Sequence, residues 1–218
     1  LLWTRSPFQP SLRPPLRNLT GIRRRIPRRP QQRQFSRGCR HRQPLAPRRK
    51  TQPPLTWPTV EAAGADFAYI KATEGADSAD PNFAENWEKA DEAGLRRGAY
   101  HVYSLCRPAL DQATNFISIV PREKDALPAA LALDFAGNCK DRPARDVVLR
   151  ELKTFIEMVE AHTGKPTILQ LTREFDDYYM ISDAIDRPLW LRGFLFPPSY
   201  GARAWVMWQA STIRRVAG

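Results

Sequence analysis

The chain is poor in several residue types and patterns, and each shortage removes a class of protein. It has three cysteines, Cys39, Cys106 and Cys139, widely spaced and with no C-x-x-C pair. That argues against a structural zinc site and against a dense disulfide framework; a single Cys106–Cys139 bridge stays open, with nothing in the spacing to favour it. The three histidines, His41, His101 and His162, fall at no metal-ligand spacing. No apolar run reaches about 18 residues, so no membrane-spanning helix is expected. No glycine-rich phosphate loop follows the first strand-like segment, so nothing marks a dinucleotide crevice. The expectation is a chain without metal or other cofactor. No internal repeat is apparent.

Acidic residues are missing from one stretch entirely. Residues 1–50 contain fourteen arginines, one lysine, eight of the twenty prolines and no Asp or Glu. Residues 51–218 hold the other 19 basic residues and all 23 acids, a net charge of −4, so the overall +11 hides a mildly acidic domain behind a basic leader. Proline disfavours both helix and sheet interior, and high charge with few large apolar residues makes residues 1–56 disordered by composition. Three readings of the leader stay open. It is an arm for nucleic acid or another anionic polymer, densest at Arg23-Arg24-Arg25 and Arg28-Arg29; or an Arg-rich targeting peptide; or a solvated tail outside the functional fold. An apolar core of 7–15 residues, the mark of a secretory signal, is not visible, so no export signal is legible.

From Trp57 onward, strand-like and helix-like patterns alternate. Strands are expected at residues 67–70, 98–103, 129–134, 167–171, 188–191 and 204–208. Helices are expected at 81–93, 108–119, 146–162 and 173–180. The clearest is 146–162, where Val148, Leu152, Phe155, Ile156 and Val159 form one stripe and Gly164 follows as a stop. Such alternation implies a largely parallel sheet covered by helices, and a barrel fits better than an open sheet. The expected fold class is α/β, an irregular and incomplete β/α TIM-like barrel at 57–218.

In such barrels chemistry gathers at the carboxyl ends of strands. Those ends carry Lys71 and Glu74; Tyr100, His101 and Tyr103; Asp134; Gln170 and Thr172; Trp190 and Arg192; Trp208 and Gln209. Aromatic faces with a few polar groups suit a sugar, whose C–H faces stack on rings while its hydroxyls hydrogen-bond. Each residue also has a plainer reading. Trp190 and Trp208 lie in apolar runs and fit a core. His101, between tyrosines in a strand, fits a satisfied buried histidine. Lys71 and Glu74 fit an ion pair with each other. Asp134 is harder to dismiss, because a charge ending the run Leu127-Pro-Ala-Ala-Leu-Ala-Leu133 is costly unless hydrogen-bonded or functional. Two residues along a strand return to the same face, so an acid at 136 would stand beside Asp134; position 136 is Ala136.

These residues also carry a family likeness. The stretch from Trp57 to Gly75, with Ile70-Lys-Ala-Thr-Glu-Gly75, resembles the glycoside hydrolase family 25 lysozymes. So do Asp80-Pro-Asn-Phe-Ala-Glu-Asn-Trp87, Gly94-Leu-Arg-Arg-Gly-Ala-Tyr-His101, Leu131-Ala-Leu-Asp134, Gly164-Lys-Pro166, Thr172-Arg-Glu-Phe175, Pro188-Leu-Trp190 and Trp208-Gln209. The resemblance implies an irregular β/α barrel that hydrolyses the β-1,4 bond between N-acetylmuramic acid and N-acetylglucosamine in peptidoglycan, without a metal, outside the cytoplasm. It implies an Asp-x-Glu pair ending a middle strand, with Glu as general acid and Asp assisting. Asp134 is matched to that Asp, and Ala136 stands at the lost catalytic position. Substrate-binding roles are implied for Lys71, Glu74, Tyr100, His101, Trp190, Trp208 and Gln209.

The departures all run one way. No Gly-x-Asp-x-Ser first strand is found in residues 1–56, Gln170 replaces a common tyrosine, and a final Asp-containing segment would lie past Gly218. A missing first strand would leave an exposed sheet edge, and the leader's prolines argue against its filling the gap. Three functions follow: a muramidase with impaired activity, a silent binder of peptidoglycan glycan strands, or an anionic-polymer binder acting through residues 1–50.

Overall fold

In the computed structural model the described residues are 2–3, 56–194 and 196–210. The chain divides into two compact units, residues 1–4 with 54–218 and residues 5–53. The second unit lies outside the described residues, and so do the expected disorder of the leader and its anionic-polymer reading.

The first unit runs β1 (Leu2–Trp3), α1 (Trp57–Ala62), β2 (Phe67–Glu74), β3 (Ser78–Ala79), α2 (Phe83–Glu92), β4 (Arg96–Val102), α3 (Ala109–Ile119), β5 (Ala130–Leu133), α4 (Arg145–Thr163), β6 (Ile168–Leu171), α5 (Arg173–Tyr179), α6 (Ile181–Ala184), β7 (Leu189–Arg192) and β8 (Met207–Gln209). The sheet order is β1-β2-β4-β5-β6-β7-β8, with β3 paired to β2. From β2 to β8 all neighbours along this path are parallel. The result is a mixed α/β fold built on a curled half-barrel. The edge of β2 is partly covered: Leu2 and Trp3 pair antiparallel with Ala68 and Phe67. The expectation that proline would keep the leader off this edge therefore fails at its first residues, which precede Pro7 and carry no proline.

Strand alternation sorts the apolar side chains onto two faces. One set meets the helices. Ala68, Ile70, Leu131, Leu133, Leu169, Leu171, Leu189 and Leu191 join the stripe Val148, Leu152, Phe155, Ile156 and Val159 of α4 in one core. Burial of each large side chain in that stripe contributes about 1.5–3 kcal/mol. The helix stops where Gly164 takes a left-handed conformation, φ 70°, and donates its N–H to the Glu160 carbonyl at 2.8 Å. The alternate residues Phe67, Tyr69, Ala130, Ile168 and Trp190 form a second, smaller core on the helix-free inner face. Gly98 makes room there, since a Cβ at this position would lie 2.8 Å from Tyr69 Cδ1.

Besides β1, α1 and β3, which the sequence pattern does not predict, and element ends shifted by a residue or two, the structure departs from the sequence reading in three places. β2 continues through Lys71 to Glu74 with a register shift between Lys71 and Thr73. The strand expected at 204–208 shortens to β8. The helix expected at 173–180 breaks at Met180, φ 47°, and resumes as α6, because buried Asp176 accepts the Ser182 N–H at 2.8 Å and the Ser182 hydroxyl at 2.7 Å.

Candidate active site

Asp134 follows β5 directly, at the carboxyl end of the parallel strands. Each oxygen of its carboxylate accepts one hydrogen bond: Oδ2 takes the Arg192 Nη1–H at 2.9 Å and Oδ1 takes the Ala136 N–H at 3.0 Å. The Asp134 side chain is 24% exposed and that of Arg192 37%, so the pair is open to a ligand. Arg192 ends β7, and the curl of the sheet brings it to a residue 58 positions earlier.

The turn after Asp134 is pinned. Asn138 donates to the carbonyls of Tyr103 at 2.8 Å and Asp134 at 3.0 Å, and accepts from Leu105 N–H at 3.0 Å. Beside it Cys106 and Cys139 form a disulfide, Cα–Cα 6.1 Å, which resolves the question that spacing left open. Sequence reasoning assigned no part to Asn138 or to the Arg192–Asp134 contact. The first carried a signal, an amide next to a cysteine in a turn; the second depends on sheet curvature, which no local pattern encodes.

Asp134 and Ala136 do not share a strand face. β5 ends at Leu133, and Ala136 lies exposed in the turn, bonded through its backbone to Asp134. The residue that shares Asp134's face by strand alternation is Ala132, on β5 itself. Ala130, two further back, belongs to the inner core, which fixes that face as the helix-free one.

The other expected site residues divide by face. Tyr100 packs on the inner core, and Lys71 is its register partner on β2. Lys71 Nζ donates to Glu74 Oε2 at 2.5 Å, so these two pair with each other. Gln209 is buried on the inner side and accepts from Gln170 Nε2 at 3.2 Å. Trp190 is on this face too, but it is fully buried against Tyr69, ring centroids 5.1 Å apart. It forms the floor and offers no exposed face for a sugar.

Two expected residues sit on the other side of the sheet. Trp208 pairs in register with Leu191 of the helix-side core and lies 6.2 Å from the Trp205 ring. His101 is completely buried among the rings of Phe155, Phe116 and Tyr103. Its Nδ1 is 2.7 Å from Thr73 Oγ1 and its Nε2 3.2 Å from Gln112 Oε1. That amide oxygen also accepts from Ser104 N–H, while the amide nitrogen donates to two carbonyls. The network therefore makes Nε2 the protonated nitrogen and Nδ1 the acceptor of the threonine proton. Burial pushes the His101 pKa down to about 4. His101 is a neutral packing element and not a ligand contact, because strand alternation turns it away from Tyr100.

Comparison with known proteins identifies the family and the fold. The family model for glycosyl hydrolases family 25 matches residues 49–218. An uncharacterized Escherichia coli protein, YegX, is 33% identical over 153 residues, covering 70% of this chain and 55% of that protein. Lysozyme M1 of Streptomyces globisporus is 31% identical over 182 residues, 75% of this chain and 60% of that one. The chain thus spans little more than half the length of these curated relatives. Among solved structures, a family 25 glycosyl hydrolase from Bacillus anthracis superposes with a TM-score of 0.71 at 38% identity, covering 76% of this chain and 77% of that one. The bacterial lysozyme of Streptomyces coelicolor gives 0.66 at 26% identity, covering 74% and 80%. The chain belongs to glycosyl hydrolases family 25.

Proposed function

We propose that this chain is a muramidase-type domain. It engages β-1,4-linked N-acetylmuramic acid–N-acetylglucosamine strands of peptidoglycan, and its hydrolysis is impaired by the loss of one site acid. One observation carries the reading. Asp134 stands at the carboxyl end of β5 on the inner side, and the next residue inward on that face is Ala132. An Asp-x-Glu pair at a strand end needs two residues on one face, and here only positions 132 and 134 satisfy it. Asp134 then takes the proton donor's place, one methylene shorter than Glu, and Ala132 replaces the assisting carboxylate.

Glycosidases of the usual kind need a proton donor for the leaving oxygen and a second carboxylate at the scissile bond. A positioned general acid contributes about 10²–10⁴-fold, and a misplacement of about 1 Å costs on the order of 10²-fold. A shortened donor with no carboxylate beside it on β5 meets both penalties. Its Oδ2 is also held by Arg192 at 2.9 Å, a contact that a protonated Asp134 would have to forgo. Glu74 is engaged by Lys71, and His101 faces the helices, so neither supplies the missing group.

The Cys106–Cys139 bridge supports a working place in an oxidising compartment at or beyond the cell envelope. Among the described residues no helix is long and apolar enough to cross a membrane. The test is a turbidity assay on purified cell walls with a parallel pelleting assay. The expected result is pelleting with walls and slow clearing that Asp134→Asn abolishes. Clearing unchanged in Asp134→Asn would remove Asp134 from the chemistry, and failure to pellet would remove the substrate.

A further inference from the structure

We infer that a cavity beside Asp134 receives a carboxylate carried on the glycan, which makes it a specificity site for muramyl over plain N-acetylglucosamine units. This inference rests on the muramidase reading above. The cavity, of about 370 Å³, lies between Thr172–Glu174 and residues 192–194 and 196–200. That volume is within the range of small-ligand sites, roughly 300–1,000 Å³.

Its chemistry is cationic with an apolar lip. Arg173 and Arg192 both line it, against one carboxylate, Glu174. Arg192 gives one N–H to Asp134, and its buried Nε has no hydrogen-bond partner. Arg173 makes no ion pair among the described residues; its guanidinium lies 4.8 Å over the Tyr200 ring, with Nη2 3.4 Å from Ser199 Oγ. Thr172 is 4% exposed, and its Oγ1 has no partner. Phe194 and Phe196 are 58% and 76% exposed at the rim, an unusual exposure for phenylalanine unless something apolar covers them.

The walls are fixed in place. Tyr200 Oη accepts the Arg192 N–H at 2.8 Å and donates to the Leu171 carbonyl at 2.7 Å, joining the ends of β6 and β7. The connection folds back because Gly193 has no side chain; a Cβ there would lie 2.7 Å from the Phe196 carbonyl oxygen. Preorganised guanidinium groups beside a free hydroxyl suit a planar carboxylate. An N-acetylglucosamine unit is neutral. A muramyl unit adds an ether-linked lactyl group, which presents its own carboxylate when unsubstituted and the carboxylates of a stem peptide otherwise. Its methyl group would meet the phenylalanine rim.

Binding is to be measured by calorimetry for three glycans of equal length: a chitin oligomer, a muramyl strand stripped of peptide, and the same strand with its stem peptides. The wild type is expected to prefer at least one muramyl strand by about tenfold, as a charge-assisted hydrogen bond would give. Arg173→Ala is expected to erase that preference and leave chitin affinity within about twofold; the isosteric Thr172→Val is expected to reduce it. Preference for the stripped strand assigns the lactyl carboxylate to the cavity, and preference for the peptide-bearing strand assigns the stem peptide. Equal affinity for all three, or an Arg173→Ala that weakens all three alike, overturns the cavity assignment and leaves the muramidase reading standing. Failure to bind any of the three overturns both.

Discussion

His101 offers the sharpest physical test of how the sheet is oriented. Its ring is fully buried on the helix side, donates to Gln112 and accepts from Thr73. Burial is the largest influence on its proton affinity, lowering the pKa from 6.5 to about 4. Between those two values the unfolded chain binds a proton that the native chain does not, so stability rises with pH through this window and is lost as pH falls. Between pH 7.5 and 5 the linkage costs about 2 kcal/mol, and it saturates at about 3 kcal/mol below pH 4. The assay is urea unfolding at a series of pH values for the wild type and His101→Gln. The variant is expected to be less stable at pH 7.5 and to lose about 2 kcal/mol less on acidification, because the carboxylates are common to both. Parallel pH dependences, agreeing within about 0.5 kcal/mol, would refute the placement of a neutral imidazole in the core. A His101 that lined the sugar groove would be solvated and would give that flat difference.

Two further outcomes test the packing and the covalent tie. The Cys106–Cys139 bridge closes a loop with a sequence separation of 33, so reduction or a double Cys→Ser change is expected to cost about 3–4 kcal/mol by the chain-entropy account, read as a shift in the urea midpoint that reductant no longer increases in the variant. Gly98→Ala drives a methyl group into the Tyr69 ring, which Trp190 and the Pro128 carbonyl hold in place; a loss of about 1–3 kcal/mol is expected, and Gly98→Ala with Tyr69→Leu should recover part of it.

Much of this fold was legible because two periodicities agree along the chain. The α4 stripe and Gly164 mark a helix and its end without reference to anything distant. The runs at 67–70 and 129–134 are continuous and apolar because the sheet is buried on both faces there, by helices on one side and by Tyr69 and Trp190 on the other. The same continuity hid which side each residue faces. A run that is apolar throughout has no alternation to read, so His101, Trp190 and Trp208 were all expected in the groove, while the structure puts two of them behind the sheet and one in its floor. Strand ends were the other weak point. Carrying the strand period past Asp134 pointed to Ala136, since nothing local in Asp134-Phe-Ala-Gly137 says that the strand has already ended at Leu133 and given way to a turn closed by Asp134 itself. The Arg192 contact depends on curvature across three strands, which is a property of the assembled sheet.

The most direct test of the account is gain of wall-clearing activity on restoring a carboxylate at each of two positions. Ala132→Asp, alone or with Asp134→Glu, is expected to raise the clearing rate by at least tenfold in a dependence that Asp134→Asn cancels, whereas Ala136→Glu leaves it unchanged. Activity created by Ala136→Glu and not by Ala132→Asp would contradict the assignment of the vacated acid to the inner face of β5.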